Sequence, residues 1–294
     1  MNQDNLNKLI TQALAIEETE AREAGAIGYM ARMLVQATLP HSDPKASIFE
    51  RVNGNLSLVM MGHPQIGLPY GTYPRLILSW LVTEAVRTKS QELILGTSLS
   101  DFMSALGLLP TGGRWGNIAR LRDQLRRLFG ASISCAYIDG MVSSGMGFNL
   151  VKEYNLWWDP KNPGQTTLWQ SNVILGTDFF NEIIDRPVPI DMRALRALKG
   201  SAMALDLYCW LTYRLSYLKQ QTEIPWMLLQ RQFGADYADT KQGRYTFKKK
   251  LLTQLKKVMA VYNGAAKTSI GEYGLVLSPS NSHVKKIDKL TLLM

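Results

Sequence analysis

The chain has 294 residues, of which 46% are hydrophobic, and it carries a formal net charge of +9 with a pI near 9.5. This length and composition are typical of a globular protein with two domains. No stretch of about 18 uncharged apolar residues is present, and the N-terminus has neither the basic start nor the apolar core of a secretory signal. We therefore expect a cytoplasmic protein that does not span a membrane.

Residues that carry common catalytic chemistry are sparse in this sequence. Cys135 and Cys209 have no metal-ligand spacing around them, and the histidines lie far apart. The chain contains no G-x-x-x-x-G-K-[ST] phosphate loop and no G-x-S-x-G nucleophile elbow. It also lacks the His-hydrophobe-His triplet that accompanies the nicking tyrosine of rolling-circle initiators. We therefore predict that the protein is not an enzyme and holds neither a metal ion nor a cofactor; a DNA-modifying enzyme is the weaker hypothesis.

The N-terminal residues 1–45 form a predicted helical arm. Apolar residues from Leu6 to Ile16 repeat at a spacing of three and four, which indicates a helix. Several glutamates follow, so part of the arm is acidic. Three roles stay open: the arm packs on the first domain, pairs with a second subunit, or shields a basic surface.

Residues 46–160 have the pattern of a winged-helix domain, in which helices are followed by a β-hairpin. The predicted elements are a strand at 56–61, a helix from Arg75 to about Thr88, a strand at 93–95, a short helix capped by Ser98, a basic helix over 114–129, and strands at 131–137 and 147–154. A linker is predicted over 155–164.

Residues 161–278 repeat this plan. The predicted elements are a strand at 167–175, helices capped by Thr177 and Asp191, a long apolar helix over 202–218, a short helix over 225–233, a basic helix over 244–262, and a small hairpin at 268–277. Residues 279–294 form a tail without a periodic core pattern.

An internal repeat with an offset of 130 residues relates the two halves. Residues 113–129 read GRWGNIARLRDQLRRLF and residues 243–259 read GRYTFKKKLLTQLKKVM. The same offset places Trp80 on Trp210 within the apolar helices. Such self-similarity indicates a duplicated supersecondary unit. The predicted fold class is therefore α+β and predominantly helical, with two tandem winged-helix domains related by internal duplication.

Positive charge is concentrated on the two basic helices. Residues 111–130 hold five arginines and one aspartate, and residues 241–257 hold seven lysines or arginines and no acid. These segments together exceed the net charge of the chain, so the remainder is slightly acidic. This distribution is typical of a protein that binds nucleic acid through two surfaces.

A helical projection selects the residues that we expect to contact DNA. On the first helix they are Arg114, Asn117, Arg120, Gln124 and Arg127. On the second they are Lys241, Arg244, Thr246, Lys249, Lys250, Thr253, Lys256 and Lys257. The first set suits base edges, because arginine and amide side chains form paired hydrogen bonds with bases. The second set suits phosphates. Trp115 and Tyr245 are expected to be core residues at the helix starts.

Four segments resemble the plasmid replication initiators of the RepA type. They read GLPYGTYPRLILSWLVTEAVRT, LGTSLSDFMSALGL, TGGRWG and RLRDQLRRLF, and the resemblance is close over residues 55–160 and looser beyond. It implies a bacterial protein that binds repeated origin sites (iterons) in double-stranded DNA, opens the adjacent duplex, and recruits the host initiator and replicative helicase. It also implies a switch in which homodimers repress the protein's own gene and monomers start replication. The alternative is a transcriptional repressor with no role in initiation.

The C-terminal residues 289–293 resemble short peptides that bind the bacterial sliding clamp. Leu290, Leu292 and Leu293 would supply the apolar anchors, although Lys289 replaces the usual glutamine. An inert or core-packed tail is the alternative.

Overall fold

The computed structural model describes residues 3–140, 142–166, 170–234, 237–262 and 266–284. Its helices are α1 (Gln3–Glu18), α2 (Arg32–Gln36), α3 (Thr72–Thr88), α4 (Leu99–Ala105), α5 (Asn117–Phe129), α6 (Thr177–Asp185), α7 (Met192–Leu198), α8 (Ala202–Leu215), α9 (Trp226–Phe233) and α10 (Lys241–Val261). Its strands are β1 (Ile27–Met30), β2 (Ile48–Asn53), β3 (Leu56–Met61), β4 (Glu92–Ile94), β5 (Ser132–Asp139), β6 (Val142–Asn149), β7 (Val151–Asn155), β8 (Asn172–Leu175), β9 (Val188–Asp191), β10 (Thr222–Pro225), β11 (Lys267–Ile270) and β12 (Gly274–Ser278). The chain is thus α+β, with several small antiparallel sheets.

The chain folds into two compact units. The continuous unit comprises residues 37–187, and the discontinuous unit comprises residues 1–36 together with 188–294. These boundaries differ from those that we predicted at residues 45 and 160. Strand β8 and helix α6 belong to the continuous unit because β8 pairs with β4 and β7, and α6 packs against α3.

The continuous unit contains two antiparallel sheets and four helices. Strands β2, β3, β5 and β6 form one sheet in that order, and the other sheet has the order β4-β8-β7. Helix α3 packs against α5 and α6, and its apolar side chains, including Leu81 and Val82, are fully buried. Phe102 of α4 lies between two tryptophans, with ring centroids 5.1 Å from Trp80 and 5.2 Å from Trp158.

The discontinuous unit is built around α8, which is buried along most of its length. Helix α10 packs against α8, α9, α7 and α1, and the unit also contains a sheet with the order β10-β12-β11. Strand β1 pairs with β9, so the first residues of the chain are joined to residues that follow 187.

Both units contain the same succession of elements. In the continuous unit, α3, β4, α4 and α5 are followed first by the β5–β6 pair and then by β7 and β8; in the discontinuous unit, α8, β10, α9 and α10 are followed directly by β11 and β12. In each three-stranded sheet the strand that comes last in the chain, β8 or β12, lies between the other two. The structural correspondence agrees with the 130-residue offset in the sequence, since Thr72–Thr88 and Ala202–Leu215 are related by it.

The strands that follow α5 differ from the predicted hairpin. Residues 132–139 pair with 142–149 residue by residue, and this β5–β6 hairpin extends the β2–β3 pair rather than reaching β4. The tight turn contains Asp139-Gly140, and Gly140 has a φ of 51°, which favours glycine. Strand β7 then pairs with β8, which lies beyond a long loop.

The predicted arm is divided between the two units, since residues 1–36 belong to the discontinuous unit and residues 37–45 to the continuous unit. Helix α1 contacts α7 and α10, and Leu9 and Ile16 are buried. Arg193 of α7 donates hydrogen bonds to the Thr19 carbonyl at 2.8 Å and the Ala15 carbonyl at 3.4 Å. None of the described helices is both long and apolar enough to cross a bilayer.

A buried hydrogen-bond network joins the end of the described chain to the core of this unit. The Asp191 amide donates to the Tyr208 hydroxyl at 2.9 Å, and that hydroxyl lies 2.7 Å from Nδ1 of His283. Because Tyr208 already accepts from an amide, its own proton is available for a neutral His283. The His283 amide in turn donates to the Tyr262 hydroxyl at 2.9 Å.

Acidification should therefore weaken the discontinuous unit. Burial lowers the pKa of His283, Asp191 opposes this shift, and Arg193 adds to it. Between the lowered pKa of His283 in the folded chain and its ordinary pKa of about 6.5, the unfolded chain binds a proton that the folded chain does not. The free energy of unfolding should fall as pH decreases through that range, by at most about 1.4 kcal/mol per pH unit for this group. Urea unfolding of the full chain at several pH values measures it.

The substitution His283→Gln should flatten that decline, whereas His63→Gln, at an exposed position, should retain it. An equal pH dependence in the His283→Gln variant and the unaltered chain would contradict this assignment.

The arm should contribute to stability rather than to subunit pairing. Replacing the buried Leu9 or Ile16 by alanine should lower the free energy of unfolding by about 2–5 kcal/mol. The same change at Ile10 or Leu14, which are 45% and 60% exposed on the same helix, should have little effect. Thermal unfolding and sedimentation of the four variants test this. A shift in oligomeric state without loss of stability at Leu9 or Ile16 would argue for subunit pairing.

Candidate nucleic-acid interface

Helix α5 is amphipathic, and its buried side fixes which side chains reach solvent. The buried residues are Ile118, Leu121, Gln124, Leu125, Leu128 and Phe129. These residues form a buried seam on the side of α5 that packs against α3. The seam is wider than its apolar residues alone indicate, because it includes Gln124.

Gln124 does not belong to an exposed face, contrary to the prediction. It is only 4% exposed, and its Oε1 accepts a hydrogen bond from the Tyr70 amide at 2.9 Å. Its Nε2 donates to Asp123 Oδ2 at 3.0 Å. Both ends of the amide are therefore bound within the protein, so Gln124 positions the segment before α3.

Arg127 also holds this segment. Its side chain is 17% exposed, and Nε donates to Asp123 Oδ2 at 2.9 Å. Its Nη1 donates to the Leu68 carbonyl at 3.3 Å, and the guanidinium lies 5.3 Å from the centroid of the Tyr70 ring. Two of the three guanidinium nitrogens that were predicted to reach a base are thus bound within the protein.

The other three residues predicted on the first helix lie at its N-terminal end. Asn117 is half-buried, accepts from the Tyr73 hydroxyl at 2.8 Å and donates to the Leu109 carbonyl at 2.9 Å. Arg114 and Arg120 are exposed. Burial raises the pKa of the Tyr73 hydroxyl, and the nearby Arg120 partly offsets this rise.

The exposed face of α5 includes two arginines that the prediction omitted. Arg122 and Arg126 are exposed, as are Ala119, Arg120 and Asp123. Residues 119, 122 and 126 share one side of a helix at about 100° per residue. The buried Gln124 shifts the seam, so the true exposed face is rotated from the predicted stripe. A projection that placed the glutamine in the seam would have found both arginines.

Most of the residues of α10 that we predicted to contact DNA are exposed. Its buried positions are Phe247, Leu251, Gln254, Leu255, Val258 and Val261. Its exposed predicted residues are Lys241, Arg244, Thr246, Lys249, Lys250, Thr253 and Lys256. Helix α10 contains no acidic residue, so its positive charges are not neutralised from within the helix.

Local contacts modify four of the predicted residues on α10. Arg244 forms an exposed ion pair with Asp239, with Nη1 and Oδ1 2.6 Å apart. Thr246 and Thr253 each donate their hydroxyl proton to the carbonyl four residues earlier, at 2.9 Å and 2.8 Å. Lys257 is half-buried, and its pKa is lowered by burial and by Lys250.

Corresponding positions in the two helices have corresponding environments. Gln124 and Gln254 are 4% and 3% exposed. Within residues 114–129 and 244–259, the cationic pairs at the offset of 130 that are exposed in both units are Arg114 and Arg244, Arg120 and Lys250, and Arg126 and Lys256. Each unit therefore presents a cationic face, which we name the first basic face (Arg114, Arg120, Arg122 and Arg126) and the second basic face (Lys241, Lys249, Lys250 and Lys256).

Trp115 and Tyr245 are exposed, so their expected place in the core was wrong. Trp115 is 74% exposed in the turn before α5, and Tyr245 is 62% exposed in the second turn of α10. The Arg114 guanidinium lies 5.2 Å from the centroid of the Trp115 ring. Each aromatic thus stands at the N-terminal end of a basic face.

Two predictions concern chemistry outside these faces. Within the described ranges, no three His, Cys, Asp or Glu side chains are arranged to hold a metal ion. The predicted clamp-binding residues Leu290, Leu292 and Leu293 lie outside the described residues.

Comparison with known proteins gives a family match. The family model described as plasmid-encoded RepA protein matches residues 68–226, which is more than half of the chain. The matched region includes α3, α5 and α8. The match confirms the family to which the sequence resemblance pointed.

Solved structures show a shared fold. The crystal structure of selenomethionine derivatives of domains 2 and 3 of RctB has a TM-score of 0.56 and 11% identity, and the alignment covers 86% of this chain and 99% of that one. A second structure of RctB domains 2–3 has a TM-score of 0.51 and 13% identity, with coverages of 83% and 94%. No curated protein sequence matches the chain.

Gln124 should act on stability. Gln124→Ala leaves the Tyr70 amide without its acceptor, and the free energy of unfolding should fall by about 1–3 kcal/mol. The exposed Arg126→Ala, on the same helix, should change it by less than about 0.5 kcal/mol. Urea unfolding of the two variants measures the difference. Equal stability of both would contradict the positioning role of Gln124.

Proposed function

We propose that this chain, which belongs to the plasmid-encoded RepA protein family, is a replication initiator that binds repeated sites in double-stranded origin DNA. Binding would promote opening of the origin and recruit the host initiator and replicative helicase. The protein would act without catalysis and without a cofactor. Homodimer formation and clamp binding by the tail are further expectations from sequence resemblance.

Each unit is proposed to be a winged-helix domain, and the two domains to derive from one duplication. The succession helix, strand, helix, helix and two strands supports this, as does the position of the last strand inside each sheet. In such motifs the third helix enters the major groove. That helix is α5 in one unit and α10 in the other.

The observation that carries the proposal is the pair of exposed basic faces, in which Arg120 and Arg126 of one correspond to Lys250 and Lys256 of the other. DNA-binding proteins neutralise phosphates with lysine and arginine, and this neutralisation supplies much of their affinity. The residues of these faces lie on the solvent-exposed sides of α5 and α10 or just before α5, while the opposite sides of both helices are buried seams. A general solubility role would not require the same positions in both helices.

The first basic face suits base recognition, and the second suits phosphate contact. Arg120, Arg122 and Arg126 carry planar guanidinium groups that can form two hydrogen bonds with guanine. Lys249, Lys250 and Lys256 carry compact charges that act chiefly on phosphates. The two faces would therefore divide specificity and affinity between them.

A footprint of the purified protein on DNA from its plasmid tests initiation against repression. An initiator should protect direct repeats of about 20 base pairs, the span of two adjacent major grooves, and make neighbouring thymines reactive to permanganate. A repressor should protect a single palindrome without such reactivity. The second outcome would favour the alternative function, and absence of any protected site would overturn both.

Neutralising the second basic face should weaken binding to every duplex sequence. The variant Lys249→Gln/Lys256→Gln should lower the slope of log affinity against log salt by about two. A matched control, Lys8→Gln/Arg22→Gln, removes two exposed charges from the same unit outside α10 and should leave the slope unchanged. Fluorescence anisotropy with a random 30-base-pair duplex supplies the measurement. Equal slopes in both variants would contradict phosphate contact by α10.

A further inference from the structure

Each basic face has an exposed aromatic side chain that neither charge nor core packing explains. Trp115 is 74% exposed and Tyr245 is 62% exposed. Large aromatic side chains are ordinarily buried for most of their area. The high exposure of an aromatic side chain thus occurs at two positions related by the 130-residue offset. The side chains around these positions differ between the two units.

The surroundings of the two aromatics differ, yet both leave the ring accessible. Arg114 approaches the Trp115 ring, with 5.2 Å between its guanidinium and the ring centroid. Tyr245 lies one helical turn before Lys249, on the exposed side of α10. Each ring is therefore an apolar surface with cationic side chains beside it. Such a surface does not complement an apolar protein partner. It does complement a polyanion that also presents apolar groups.

Resting on the proposed function, we infer that Trp115 and Tyr245 recognise thymine methyl groups in the major groove. The N-terminal residues of a helix that lies in this groove contact base edges, and both aromatics are at the N-terminal end of their helix. The thymine C5-methyl is the apolar group among the base edges of the major groove. The two rings thus make binding depend on the A·T pairs that they face.

Loss of such a contact should affect affinity and its salt dependence differently from loss of a neighbouring charged side chain. Burying one methyl group contributes about 0.8 kcal/mol, which corresponds to a fourfold change in affinity. The aromatic rings neutralise no phosphate. Loss of a ring should therefore lower affinity for the preferred duplex while the salt slope stays unchanged, in contrast to loss of an arginine or lysine.

The test uses a duplex that the full chain selects from a randomised 40-base-pair library. Each thymine of that duplex is replaced in turn by deoxyuridine, which removes only the methyl group. With the unaltered chain, at least two replacements should weaken binding by about fourfold each. With Trp115→Ala one of these losses should disappear, and with Tyr245→Ala another should disappear.

Controls separate this contact from structural effects. Both positions are exposed, so unfolding temperatures should be unchanged. Ile48→Ser, at a position that is 60% exposed on β2, should retain every deoxyuridine effect. If deoxyuridine has no effect on the unaltered chain, or the same effects persist in both alanine variants, the inference fails while the proposed function stands. If no duplex is enriched by selection, the proposed function fails, and the inference fails with it.

Discussion

The orientation of α5 and α10 about their own axes determines which side chains form the candidate interface. Each helix has a buried seam that contains a glutamine, and the seam decides which cationic side chains are exposed. In α5 the seam is fixed by polar contacts as well as by packing, since Gln124 and Arg127 bind the backbone of residues 68–70. In α10 the Oε1 of Gln254 has no hydrogen-bond partner among the described residues, so that helix depends on packing alone at this point. A rotation of α5 by one residue, about 100°, would carry Arg122 and Arg126 to the positions that the buried Leu121 and Leu125 now occupy.

Sequence patterns predicted the parts of the fold that are local in the chain. The apolar periodicity of α3 and α8, the Ser98 cap of α4 and the Asp191 cap of α7 all have their expected places. The Ser98 hydroxyl accepts from the Asp101 amide at 3.1 Å, as the spacing of three indicates. The 130-residue repeat predicted that two helices would share an environment, and their matched exposure agrees with it.

The parts that could not be predicted depend on contacts between distant residues. Strand β8 is only four residues long and reaches β4 across nearly 80 residues, so its short pattern gives no indication of its partner. The discontinuous unit joins β1 to β9, and a linear division of the sequence cannot represent such a unit. Within the site, the projection treated Gln124 as polar and therefore exposed. It also treated Trp115 as apolar and therefore buried. Both assignments followed the average burial of these residue types. They fail at Gln124, whose amide is hydrogen-bonded in the interior, and at Trp115, whose ring is exposed at the surface.

Similar backbones with different side chains explain how one chain would carry two kinds of DNA contact. Arg120 and Arg126 correspond to Lys250 and Lys256, so the charge is retained while the geometry of the donors changes. A guanidinium fixes the orientation of two hydrogen bonds, whereas an ammonium group accommodates many positions of a phosphate. The carboxylate of Asp123, which pairs with Arg127, also lowers the net charge of α5 relative to α10, which has no acidic residue. A duplex bound by both faces would thus be held firmly by one unit and aligned by the other. This division would suit the initiator that we propose, because phosphate contacts hold any duplex whereas base contacts discriminate among sequences.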